Sequence, residues 1–161
     1  MEQHLFLKAE VHNWSLMGPG SWDAATWYVF NTGSYRLESS EILAEKEIDE
    51  IMAAQESCGD PVRYQRRSVK RGRLSEKNLS ELVSAMEQKP WRDPSIVCDA
   101  CDGEAWVITQ FAEDGSTIQT NGELDYIYGQ RVLEKIVSLL PNSNDFCANA
   151  YIRVTGTDND Q

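Results

Sequence analysis

Positive charge and histidine are scarce in this chain, and long apolar runs are missing. Its 161 residues hold 15 Lys and Arg against 26 Asp and Glu, a formal net charge of −11. Such a surface works against general affinity for nucleic acid or anionic lipid. The two histidines are His4 and His12. Their even spacing places them on one face of a strand, but eight residues at about 3.3 Å each put them about 26 Å apart. They cannot share a metal ion or relay a proton between them. No window approaches the roughly 18 apolar residues of a membrane helix. Met1 to Val11, interrupted by His4 and Lys8, lacks the apolar run of a secretory signal. The expectation is a cytoplasmic protein with no membrane association.

The familiar catalytic motifs are missing as well. There is no G-x-S-x-G elbow, phosphate-cradling Walker loop, H-E-x-x-H or G-x-G-x-x-G, so no cofactor is expected and an enzyme is not the favoured reading. Four cysteines, Cys58, Cys98, Cys101 and Cys147, fit reduced thiols better than a disulfide framework in a chain of this length. Cys98 and Cys101 form a C-x-x-C. The pair precedes a strand rather than opening a helix, which removes the usual means of lowering a redox thiol's pKa. A structural zinc site would need a second such pair, and Cys58 and Cys147 stand singly. The carboxylates Asp99, Asp102 and Glu104 lie beside the pair. They lack calcium-loop spacing and read first as loop solvation, with a ligand site or a carboxylate-dependent hydrolase as the competing reading.

What the chain does contain is an ordinary globular balance, 41% hydrophobic and 25% charged, so one core without covalent staples is expected over residues 1–161. Loose alternation from Gln3 to Trp14 predicts a strand. Ala25–Phe30 and Tyr35–Glu38 around Asn31-Thr32-Gly33 predict a hairpin. Helices are predicted over 41–55 with Ser40 as cap, over 76–88 with Ser75 as cap, and over 130–140 with Pro141 as stop. Glu104–Phe111 and Ser116–Thr120 predict a second hairpin, and Tyr151–Thr155 a short trailing strand. The fold class is α+β: an antiparallel sheet with about three helices.

Laying the two hairpin regions over each other suggests a duplicated ββα unit, with repeats at 24–90 and 104–141. Leu79, Leu82, Val83, Ser84 and Met86 match Leu133, Ile136, Val137, Ser138 and Leu140, while Gly72 and Leu74 match Gly122 and Leu124. Trp27 and Trp106 then take equivalent places. The plain alternative is that any two amphipathic helices share such a stripe.

Two features point to a surface that meets a partner. Arg63, Arg66, Arg67, Lys70, Arg71 and Arg73 place six cations and no acid within eleven residues, leaving nine of the 15 to the rest of the chain. As a strand, Arg63, Arg67, Arg71 and Arg73 share a face suited to carboxylate or phosphate. The competing reading is pairing with the acidic helix at 41–50, or charge protecting a sheet edge. Trp14 and Trp22 flank Gly18-Pro19-Gly20 and are candidate aromatic anchors, whereas Trp27 reads as core.

Together these features favour a protein-binding module. In general character the chain resembles immunity or inhibitor proteins that cap another protein, an associational likeness only. A small-molecule-binding domain or hydrolase near Asp102 is the alternative, and a structural accessory domain is the third reading. No feature specifies an oligomer.

Overall fold

A computed structural model describes residues 2–13, 20–54, 65–89, 91, 104–119 and 131–146, with backbone alone for Glu104 and Ala105. Six strands form one antiparallel sheet: β1 (Leu5–Asn13), β2 (Trp22–Phe30), β3 (Ser34–Ile42), β4 (Gln65–Arg73), β5 (Glu104–Phe111) and β6 (Thr117–Gln119). Three helices accompany them, α1 (Glu45–Ala54), α2 (Glu76–Glu87) and α3 (Arg131–Leu139), followed by a 3₁₀ turn at Ser143–Phe146. The class is α+β. The sheet order is β4-β3-β2-β1-β5-β6, which puts the first strand of the chain in the interior.

Alternation along the strands separates two faces. Leu7, Ala9 and Val11 of β1, Ala25, Trp27 and Val29 of β2, Leu37 of β3, and Trp106 and Ile108 of β5 are buried on one side. Leu82, Ala85 and Met86 of α2 and Leu133, Ile136 and Val137 of α3 enter the same core, so α2 and α3 cover this face. Burying each large aliphatic side chain contributes about 1.5–3 kcal/mol.

Aromatic groups occupy the centre of that core. The indoles of Trp27 and Trp106 stack at 5.5 Å and 19°. Phe146 meets Trp27 edge-on at 5.5 Å and Trp22 edge-on at 5.7 Å. Trp27 Nε1 donates to the carbonyl of Pro141 at 2.7 Å, so the residue that stops α3 also anchors the turn over the sheet. Trp91 Nε1 donates to the Met86 carbonyl at 2.9 Å and occupies one of the end groups of α2.

Local chemistry explains most of the boundaries. Ser75 Oγ accepts from Asn78 N at 3.1 Å and caps α2. Gly33, at φ 86°, turns β2 into β3, a conformation that costs glycine little. Asp114 Oδ1 accepts from both the backbone N and the Oγ of Ser116, at 2.8 and 2.6 Å, closing the β5–β6 turn. These bonds hold the Asp114 carboxyl below its usual range.

One expected boundary moves. The helix anticipated from Glu41 begins at Glu45, and Ser40, Glu41 and Ile42 continue β3. Across from them, Arg67, Arg66 and Gln65 supply a ladder partner for each residue, and strand pairing displaces the local cap. Ser40 Oγ instead lies 3.4 Å from Asp23 Oδ2.

The hairpin β5–β6 is followed by α3 on the covered face, whereas α1 and β4 come between the hairpin β2–β3 and α2, and the matched stripes differ in two pairs. Leu79 is half-buried where Leu133 is buried, and Val83 is 37% exposed where Val137 is buried. Gly122, Leu124 and the trailing strand expected at 151–155 lie outside the described residues.

Candidate partner-binding surface

Among the described residues β4 forms one edge of the sheet, and all nine of its residues are exposed. It pairs with β3 without a bulge, from Ser34↔Arg73 to Ile42↔Gln65. That register divides its cations between the two faces. Arg66 and Lys70 share the side that bears the core, whereas Arg67, Arg71 and Arg73, with Gln65 and Val69, share the opposite face. Arg63 lies outside the described residues.

Arg66 is the cation that the rest of the protein uses. Its guanidinium reaches Glu41 Oε1 at 3.0 Å and makes a short contact with Glu47 Oε1. The Arg66 hydrogen bond holds the Glu47 carboxyl below its ordinary range, helped by the Ala44 N–H that donates to Glu47 Oε2 at 3.1 Å. α1 has no buried residue, so this junction is the polar tie between it and the sheet. Arg67, Lys70, Arg71 and Arg73 have no ion-pair or hydrogen-bond partner among the described residues.

The face opposite α2 and α3 continues the pattern inward. Arg71 stands across from Arg36, Arg36 from Tyr28, Tyr28 from Lys8 and Lys8 from Thr109, one row running over five strands. Arg36 Cζ lies 4.4 Å from the Tyr28 ring centroid and Lys8 Nζ 5.9 Å from it. Each of these two cations also has a carboxylate at 3.0 Å, Glu38 for Arg36 and Glu10 for Lys8. Arg71 has neither. It stands across the ladder from Arg36, whose charge Glu38 already offsets.

Beside this row lies a hollow of about 450 Å³ lined by Ala24, Thr26, Glu38, Ser40, Arg67 and Val69. Ala24, Thr26 and Ser40 face the same side and keep its floor low because their side chains are short. Val69, 51% exposed, stands on β4 as an apolar contact among charges.

The two halves of the surface expected from sequence are separated by the sheet. Trp22 lies half-buried on the core side against Phe146, by a second hollow of about 380 Å³ that Ser39, Lys70 and Asp145 also line. Trp14, Asp99, Asp102, Cys98 and Cys101 lie outside the described residues, as does the Glu104 side chain. Among the described residues no three His, Cys, Asp or Glu side chains come together as a metal site. None of the described helices is long and apolar enough to cross a membrane.

Sequence reasoning missed Arg36, Lys8 and Glu38, and it set Tyr28 with the aromatic loop rather than in this charged row. Their period-2 spacing in consecutive strands was readable, but which strand lies against β4 was not. Set against protein-family models, curated proteins and solved structures, the chain matches none.

Proposed function

We propose that this protein is a cytoplasmic binding module that docks another protein, rather than nucleic acid, on the open face and edge of β4. The carrying observation is the set of open-face cations that have no partner among the described residues, in a chain that is otherwise rich in acid: Arg67, Arg71 and Arg73. Arg66, by contrast, is paired with Glu41 and Glu47. The hollow beside Val69 offers a seat for one partner side chain, giving a small apolar centre with a charged rim.

The test is capture by the tagged protein from its source cells at low and moderate salt, comparing the natural chain with a doubly reversed Arg67→Glu, Arg71→Glu variant. A stoichiometric protein partner that is retained by the natural chain and lost by the cooperatively folding variant supports the module. A partner retained equally by both removes β4 from the account.

A further inference from the structure

β4 combines two properties that soluble proteins seldom leave together. It is a long, regular sheet edge, nine residues with an unbroken register and neither bulge nor proline. Natural edges are commonly shortened, bulged or interrupted, because their outward N–H and C=O groups template a further strand. The opposite edge, β6, is three residues long. Among the described residues only charge guards β4, and charge of one sign repels a like strand while attracting an opposite one.

Resting on the protein-binding reading, we propose that the partner supplies an extended acidic segment that adds to β4 as a seventh strand. Main-chain hydrogen bonds to the bare edge would provide affinity, and alternate side chains would provide selectivity. Because side chains alternate, only every second residue of the incoming strand meets the open face. In antiparallel register those residues would stand across from Arg73, Arg71, Val69 and Arg67 in turn. The fitting segment therefore reads acid-x-acid-x-apolar-x-acid. A second copy of β4 is excluded as occupant by its own five cations between Gln65 and Arg73. Nucleic acid is disfavoured by Glu38, which lines the hollow with Arg67 and Val69, and by the net charge of −11.

The probe is a fluorescent peptide, Thr-Glu-Thr-Glu-Thr-Val-Thr-Glu-Thr, titrated by anisotropy against the full chain. Two further versions carry methyl groups on alternate backbone nitrogens, one in each phase. In an antiparallel pair only one phase of amides faces the neighbouring strand. One methylated peptide should therefore bind at least tenfold more weakly and the other should match the parent. Arg67→Gln and Arg71→Gln should each weaken the parent several-fold, and the β4 amides should gain hydrogen-exchange protection on binding. Equal binding of all three peptides would overturn strand addition yet leave the charged docking surface standing, whereas failure of the cell capture would strike the docking reading itself. No peptide binding, tighter binding of polyuridylate, or full protection of the β4 amides before any peptide is added would each overturn the inference.

Discussion

At the scale of single residues, the paired indoles show how one atom decides the cost of a substitution. Trp27 and Trp106 are both essentially buried and stack on each other, but their N–H groups differ. Trp27 Nε1 donates to Pro141, whereas Trp106 Nε1 is buried with no acceptor among the described residues. An unmet buried donor costs free energy and a met one contributes it. Trp27→Phe should therefore destabilise by about 1–2 kcal/mol more than Trp106→Phe, measured as the separation of urea midpoints at constant slope. Equal midpoints would mean that the Pro141 contact contributes nothing. Gly72 shows the same dependence on neighbours: a Cβ there would meet the Tyr35 ring at 2.6–2.8 Å, so the aromatic ring occupies the space that glycine leaves on its cross-strand partner.

At the scale of elements, α1 stands out because its apolar side is only half-buried, at Ile48 and Ile51. It carries no buried residue, Met52 is 56% exposed, and its junction with the sheet runs through Arg66, Glu41 and Glu47. Because the folded form holds the Glu47 carboxyl below its ordinary range, the contribution is complete above that range and is lost as pH falls through the depressed value. Acidification below about pH 4 should raise amide exchange in α1 before it does so in α2, and Glu47→Gln should remove that pH dependence. If α1 and α2 lose protection together, the junction is not what holds α1. The same element shows where reading the sequence stopped. Helices α2 and α3 were legible almost to the residue, because an apolar stripe, a Ser75 cap and Pro141 are local signals. The start of α1 was not, since Ser40 and the following acids imitate a helix entrance while their ladder partners lie beyond α1 in the chain. β4 was legible as an exposed basic strand by its composition and alternation. Its neighbours were hidden because cross-strand register is a long-range property.

At the scale of the whole molecule, one core depends on both ends of the described chain. β1 has β2 on one side and β5 on the other, with Val11 across from Ala25 and from Trp106. α2 and α3 share a buried layer, with Lys135 Nζ 3.0 Å from Glu81 Oε2 at its rim. A chain ending at Trp91 would keep β1 to β4 and α2 but leave an interior strand with a bare edge and an uncovered apolar face. It should show no cooperative thermal transition by circular dichroism, in contrast to the full chain. A sharp transition in that fragment would mean that β5 and α3 decorate a core already complete. The order of the strands also has a consequence for synthesis. The ribosome releases the central strand first and its second neighbour late, so at roughly 5–20 residues per second Val11 waits several seconds for Trp106. During that interval β1, with Leu7, Ala9 and Val11 on its core face, is a half-paired, sticky nascent edge. The hazard of aggregation therefore falls on translation rather than on the finished protein, and slowing elongation before residue 104 should lengthen it.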